Sequence, residues 1–219
     1  MSTPARPTPT RAARELARRD PVVAELVKRH GPPRLAGRPP SSERFASLAR
    51  SVLYQQLAGG AAQAIHGRFV TALGGVVTPE SVLAAGPETL AGCGLSRAKA
   101  ASVFDLAEKV TSGTVSLGRI GRLSDDAVVA HLVQVRGIGP WTAEMFLLSS
   151  LRRLDVWPVG DYGVRAGYAR AFGLDAPPSP KELGPLGERF RPYRSILAWY
   201  CWRAADEDKT VPNPQAVDH

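Results

Sequence analysis

Apolar residues recur at helical spacing along most of the chain. Phe45, Leu48 and Val52 form one stripe, and Val128 with Leu132 begins another. Residues three or four positions apart lie on one face of a helix, so each stripe marks a face that packs into a core. No useful length of the sequence alternates between apolar and polar residues as a half-buried strand does. The pattern therefore predicts an all-α protein.

Helix-capping residues divide the middle of the chain. Ser124 is a predicted N-cap, because its side chain can accept a hydrogen bond from the first turn of a helix. Two glycines within residues 137–139 interrupt the apolar pattern, and Pro140 suits the first position of the next helix. Asp161 is a predicted N-cap for a third helix that ends at Gly173. The predicted order is helix, tight glycine turn, helix, loop and helix.

The net charge of +8 is unevenly distributed along the 219 residues. Residues 1–40 hold nine Lys and Arg against three Asp and Glu, and the remaining chain holds 19 against 17. We therefore expect a basic N-terminal arm with short helices at 1–40, a helical core at 41–207 and a polar tail at 208–219. A basic arm attracts phosphates without sequence preference, although a solvated tail has the same composition.

Composition excludes several classes of protein. The sequence has no run of about 20 apolar residues that could span a membrane, and no apolar segment of a signal peptide near its start. The Arg and Thr residues near the start are compatible with a transit peptide. Cys93 and Cys201 are too few for a disulfide framework or a Cys-rich metal site, and the histidines lack the spacing of metal ligands. We therefore expect no membrane association and no metal bound by side chains.

The glycine turn at residues 137–139 carries the first candidate chemistry. Such a turn exposes backbone N–H groups at a helix N-terminus, which suits a phosphate. Glycines also let the backbone approach the anion closely. A turn of this kind can equally serve only to connect two helices, and Asp161 can serve only as a cap. Spacing alone leaves these alternatives open.

The combination of these residues resembles the helix-hairpin-helix DNA glycosylases. The segment Val-Arg-Gly-Ile-Gly-Pro-Trp-Thr-Ala is followed by Asp161, twenty residues after Trp141. The likeness is greatest to the 3-methyladenine DNA glycosylase II branch and covers residues 40–205. Further matching segments lie at residues 54–58, 94–100 and 191–202. The resemblance implies a two-lobed helical bundle with the helix-hairpin-helix motif at the interlobe cleft.

The resemblance also implies a reaction. Cleavage of an N-glycosidic bond in DNA needs the base outside the stack and stabilisation of an oxocarbenium-like sugar. Asp161 matches the family's essential aspartate, whose carboxylate can stabilise that charge and position or deprotonate water. Trp141 occupies the place where relatives that nick DNA carry a nucleophilic lysine, so no lyase activity is expected. Two cysteines cannot hold the iron–sulfur cluster of other relatives.

A pocket for alkylated purines needs electron-rich faces, because such bases are positively charged. Trp141 is the first candidate, since it begins the helix beside the hairpin, and Trp202 is the second. The further candidates are Tyr54, Met145 and Tyr200. For each aromatic residue, packing in the core is the alternative.

DNA contacts are expected at the hairpin and at the end of an earlier helix. The resemblance implies that Leu57 is a wedge inserted at the flipped base, with Gln55 or Gln56 touching the opposite strand. The other expected DNA contacts are Gly137, Ile138, Gly139, Thr142 and Arg165. The backbone carbonyls of Val135 and Gly137 are candidate ligands for a monovalent cation.

The sequence therefore predicts a monofunctional DNA glycosylase of base excision repair. It is expected to release alkylated purines, such as 3-methyladenine and 7-methylguanine, from duplex DNA. We expect a monomer in the bacterial cytoplasm, associated with the nucleoid. Two alternatives stay open: a non-catalytic DNA-binding or damage-sensing protein, and a monofunctional glycosylase for uracil, hypoxanthine or mismatched bases.

Overall fold

A computed structural model describes residues 7–33, 38–57 and 59–210. Within these ranges, every regular element is an α-helix or a short 3-10 turn, so the all-α prediction is confirmed. The chain divides into two compact units. Unit 1 comprises Met1–Gly37 with Arg153–His219, and unit 2 comprises Arg38–Arg152.

Eleven α-helices lie in the described ranges. They are α1 (Pro9–Arg19), α2 (Pro21–His30), α3 (Arg44–Tyr54), α4 (Gly59–Ala72), α5 (Pro79–Gly92), α6 (Arg97–Thr111), α7 (Asp125–Leu132), α8 (Pro140–Ser149), α9 (Tyr162–Phe172), α10 (Pro180–Gly187) and α11 (Arg194–Thr210). No helix in the described part of the chain is both long and apolar enough to cross a membrane.

The predicted caps are present in the structure. The Ser124 hydroxyl accepts a hydrogen bond from the N–H of Ala127, 3.3 Å away, at the start of α7. Pro140 is the first residue of α8. Gly173 ends α9 in the left-handed region, with φ of 68°. The predicted starts of α7 and α8 and the predicted end of α9 are thereby confirmed, because a cap depends on residues that are neighbours in sequence.

Helices α1 and α2 form part of the core of unit 1, although composition set residues 1–40 apart as an arm. Leu16 and Val23 are fully buried, in the same cluster as Tyr168 and Ile196. The reason is that α1 is amphipathic: Ala12, Ala13 and Leu16 face the core, while its arginines cover the outer face. The predicted tail lies outside the described residues from 211 onward, and residues 208–210 end α11.

The core of unit 1 is built on a close crossing of α9 and α11. A Cβ atom added to Gly167 would lie 1.7 Å from the carbonyl oxygen of Cys201, so no larger residue fits there without moving the backbone. This crossing fixes the position of α9, which begins after Asp161, relative to α11, which carries Trp202.

In unit 2, α3 contacts α4, α6 and α8, and α7 contacts α8. The apolar stripe predicted for α3 is buried, with Phe45 only 4% exposed and Leu48 fully enclosed. The arrangement brings the C-terminal end of α3 to the turn between α7 and α8, where Gln55 donates to the carbonyl of Gly137.

Candidate active site and nucleic-acid interface

The turn between α7 and α8 has the geometry that the glycines predicted. The N–H of Ile138 donates to the carbonyl of Val135, 3.1 Å away, and closes the turn. Gly137 has φ of 75°, and a Cβ atom there would lie 2.4 Å from the Ser102 hydroxyl. Both the backbone conformation and the packing therefore require glycine. Gly139 is the N-cap residue of α8, and it has no side chain to bond the N–H groups of the first turn. A phosphate can therefore approach this helix N-terminus without displacing a capping side chain.

Helix α6 supports this turn through two charged side chains that the sequence reasoning missed. Asp105 accepts hydrogen bonds from the Arg136 N–H and the Lys109 ammonium, each at 2.7 Å. Lys109 also donates to the carbonyl of Gln134 at 2.8 Å. Burial acts to raise the pKa of Asp105, but the hydrogen bonds from Lys109 and Arg136 outweigh it, so the pKa is lowered. The available signal was the i,i+4 spacing of the two residues.

Gln55 and Thr142, both predicted to touch DNA, contact each other. The Gln55 amide nitrogen donates to the carbonyl of Gly137 at 3.0 Å and to the Thr142 hydroxyl at 3.1 Å. The Thr142 side chain is buried, which corrects its assignment as a DNA contact. Of the two glutamines offered as opposite-strand contacts, only Gln56 is exposed, beside the exposed wedge candidate Leu57.

The carbonyls named as cation ligands are engaged within the protein. Gly137 accepts the Gln55 amide, and Val135 accepts the N–H of Ile138. A carbonyl oxygen has two lone pairs, so each of these oxygens keeps a second acceptor position beside its hydrogen bond.

Three predicted pocket residues lie in unit 2. Trp141, in the first turn of α8, is 44% exposed, and Met145 follows one turn later on the same face. Tyr54 is half-buried, with the Arg50 guanidinium 4.9 Å from its ring centroid and His66 edge-on at 6.1 Å. Burial, followed by the charge of Arg50, lowers the pKa of His66. An exposed tryptophan at a helix N-terminus is accessible to a flat ligand.

In unit 1, the carboxylate of Asp161 accepts hydrogen bonds from the backbone of α9 and from an indole of α11. Its Oδ1 accepts the N–H of Val164, which caps α9, and the indole N–H of Trp202, each at 2.9 Å. An indole N–H can only donate, so the side of the carboxylate that faces Trp202 is fixed. The structure thus joins two of the predicted site residues by a direct hydrogen bond.

Gly163 makes room for this pair and was not identified from the sequence. A Cβ atom there would lie 2.9 Å from Cδ1 of Trp202 and 3.2 Å from Oδ1 of Asp161. The indole therefore rests against the first turn of α9. The available signal was a glycine at an early position of a helix, where it costs about 1 kcal/mol relative to alanine.

Tyr162 is a further residue that sequence reasoning missed. It follows Asp161 directly and its side chain is 67% exposed. The Arg165 guanidinium lies 5.5 Å from the centroid of the Tyr162 ring and donates to the carbonyl of Pro178 at 3.2 Å. Arg165, a predicted DNA contact, is thereby held beside an exposed aromatic ring at the start of α9.

Tyr200 does not line a pocket, which corrects its assignment. It is fully buried, and its hydroxyl donates to the carbonyl of Gly31 at 2.9 Å. Burial raises its pKa to about 12. Residues two positions apart on a helix point to nearly opposite sides, so Tyr200 enters the core while Trp202 reaches Asp161.

Comparisons with known proteins agree with this geometry. The model of a family described as HhH-GPD superfamily base excision DNA repair protein matches residues 49–192. DNA-3-methyladenine glycosylase 1 of Schizosaccharomyces pombe is 34% identical over 207 residues, which cover 93% of this chain and 91% of that protein.

Solved structures give the same result. The 3-methyladenine DNA glycosylase Mag1 of that yeast, in complex with abasic DNA, superposes with a TM-score of 0.76 at 35% identity, covering 89% of this chain and 96% of that one. A DNA-3-methyladenine glycosidase from Bacillus halodurans superposes with a TM-score of 0.81 at 31% identity, covering 90% of each chain. Together with the hairpin and Asp161, these matches show that the chain belongs to the HhH-GPD superfamily of base excision DNA repair proteins.

Proposed function

We propose that the chain is a monofunctional DNA glycosylase that hydrolyses the N-glycosidic bond of alkylated purines in duplex DNA. The observation that carries the proposal is the carboxylate of Asp161, held by the N–H of Val164 and the indole of Trp202. Binding DNA does not require a carboxylate, which repels phosphates. The relatives named as 3-methyladenine DNA glycosylases support the choice of substrate.

The proposed chemistry relies on the charge of the substrate. When the bond between C1′ and the base nitrogen breaks, its electron pair moves to the base and neutralises the positive charge of an alkylated purine. The sugar becomes oxocarbenium-like, and a nearby carboxylate stabilises it. Asp161 is the proposed stabiliser. Water then adds to C1′ and releases a proton, which Asp161 can accept, leaving an abasic site and a free base.

DNA is proposed to bind to the turn at residues 137–139 through a backbone phosphate. Phosphate contacts position the protein without reading sequence, as a repair enzyme requires. Leu57 is the proposed wedge, since it is exposed at the end of the loop that follows α3. Trp141 and Met145 are proposed to contact the flipped base.

We further propose that the enzyme acts as a monomer without an iron–sulfur cluster. Four thiolates bind such a cluster, whereas the chain contains Cys93 and Cys201 and both are buried. A monovalent cation at the hairpin stays a prediction. We also propose a location in the bacterial cytoplasm, at the nucleoid, which is compatible with the proposed DNA substrate.

The test of this function is a panel of duplexes that each carry one modified base. We expect the wild-type protein to release free 3-methyladenine and 7-methylguanine, measured by chromatography of the base fraction. Preferential release of uracil, hypoxanthine or a mismatched base would instead assign a different glycosylase specificity. Binding to abasic DNA with no release from any duplex would identify a non-catalytic damage-binding protein.

The same reactions test the absence of lyase activity. Trp141 has no amine to form a Schiff base, so borohydride is expected to trap no covalent protein–DNA complex. The DNA backbone is expected to break only after alkali treatment of the abasic product. A trapped complex would show that another amine attacks the sugar and would remove the monofunctional assignment.

A further inference from the structure

The C-terminal end of α3 is held by a lysine from α6. The Lys99 ammonium donates to the carbonyls of Leu53 and Gln55, at 2.7 and 2.6 Å. The last carbonyls of a helix have no partner within the helix, and a lysine that binds them fixes how the chain leaves. The chain then turns sharply, since Gln56 has φ of 55°, in the left-handed region.

The side chain of Gln55 ties this turn to the hairpin. Its amide nitrogen donates to the carbonyl of Gly137, 82 positions away in sequence, and to the hydroxyl of Thr142. A backbone carbonyl can only accept, so the amide must direct its nitrogen toward Gly137. One side chain thus spans the turn and the first turn of α8.

These contacts separate the roles of three consecutive residues. Gln55 is half-buried and its amide is hydrogen-bonded to the hairpin, whereas Gln56 and Leu57 are exposed. The wedge candidate therefore lies two residues from a side chain that is bonded to the proposed phosphate site. The loop and the hairpin consequently have a fixed spacing within unit 2.

We propose that Gln55 is a positioning residue that ties the loop at residues 55–57 to the helix-hairpin-helix turn, so that a DNA phosphate bound at the hairpin determines where Leu57 enters the base stack. The inference rests on the proposed function for the identity of the ligand. Lys99 supports the same loop from α6, and burial lowers the pKa of its ammonium group. Loss of the Gln55 hydrogen bonds leaves the loop at residues 55–57 and the helix-hairpin-helix turn intact but no longer fixes the spacing between them.

The experiment uses a duplex with a tetrahydrofuran abasic analogue beside 2-aminopurine. Insertion of a wedge unstacks the neighbouring base and raises its fluorescence. Gln55→Met keeps the length of the side chain but removes the donor. At saturating protein, the increase in 2-aminopurine fluorescence caused by Gln55→Met is expected to fall toward the increase caused by Leu57→Ala. The Kd of Gln55→Met for the duplex is expected to stay near the wild-type value.

Gln63→Met is the matched control, because Gln63 is an exposed glutamine on α4. It is expected to keep the full fluorescence increase, and thermal melting verifies the folding of each variant. A wild-type increase for Gln55→Met, or an equal loss for both variants, would overturn the inference. If Gln55→Met unfolds, Thr142→Val removes one of the two acceptors and supplies the same test with a smaller expected loss.

Base release separates this inference from the proposed function. Release of 7-methylguanine paired with cytosine is expected to slow by about 30-fold in Gln55→Met, which corresponds to about 2 kcal/mol for the loss of two hydrogen bonds. The loss is expected to be smaller opposite tetrahydrofuran, where extrusion is easier. A wild-type protein that raises fluorescence but releases no base would remove the proposed function alone. If Gln55→Met gives the full increase in 2-aminopurine fluorescence and the wild-type protein releases base normally, the positioning role of Gln55 is refuted and the proposed function stands.

Discussion

Replacement of Asp161 by asparagine is expected to slow base release by about 10²- to 10³-fold, the usual effect of removing one electrostatic stabiliser of a transition state. Asparagine has nearly the same shape as aspartate. Its carbonyl oxygen can still accept the N–H groups of Val164 and Trp202, so the cap of α9 is retained. What is lost is the negative charge that stabilises the oxocarbenium-like sugar.

Single-turnover release of 7-methylguanine measures this effect, and fluorescence anisotropy measures binding to an abasic duplex. Asp161→Asn is expected to bind that duplex at least as well as the wild-type protein, because a carboxylate repels phosphates. Asp175→Asn is the matched control, since it removes an exposed carboxylate from unit 1. Base release at the wild-type rate by Asp161→Asn would refute the proposed mechanism. If Asp161 served only as a cap, both base release and melting temperature would stay near the wild-type values, because asparagine caps a helix about as well as aspartate.

Local rules were sufficient to place Asp161 and Ser124. Each side chain accepts the N–H of a residue three positions later, so the interaction is complete within one turn. The same holds for Pro140 at the start of α8 and for Gly173 at the end of α9. The helix order around the hairpin could therefore be predicted before any tertiary contact was known.

Contacts between distant residues could not be predicted in this way. Gln55 resembled a surface residue at a helix end, and only the packing of α3 beside α8 directs its amide to Gly137. Tyr200 and Trp202 both resembled pocket aromatics, because the sequence does not show which side of α11 faces the core. Tyr200 is buried and Trp202 reaches Asp161 because of the way in which α9 and α11 cross at Gly167.

The composition of residues 1–40 was also misleading for a physical reason. A high arginine content suggests a solvated arm, but on a helix arginines and small apolar residues can segregate to opposite faces. In α1 they do so, and Ala12, Ala13 and Leu16 are fully buried. The net charge of residues 1–40 therefore reflects the exposed face of this segment and does not show whether the segment packs into the core.

Trp202→Phe is expected to slow base release by about tenfold while binding of abasic DNA is kept. Phenylalanine preserves an aromatic face but removes the N–H that bonds Oδ1 of Asp161. A hydrogen bond to a charged group contributes about 1.5 kcal/mol at the low end, which corresponds to about tenfold in rate. If Trp202 serves only as a surface for stacking the base, phenylalanine should retain most of the activity.

A double-mutant cycle with Asp161→Asn distinguishes positioning from stacking. If the indole acts through the carboxylate, Trp202→Phe should cost much less in the Asp161→Asn background, because coupled residues are not additive. Gly163→Ala should reproduce the defect, since its Cβ atom would displace the indole ring. Alanine is favoured over glycine within a helix, so the melting temperature of this variant should stay close to that of the wild-type protein. Equal costs of Trp202→Phe in both backgrounds would show that the indole contributes independently of Asp161, as a platform for the base.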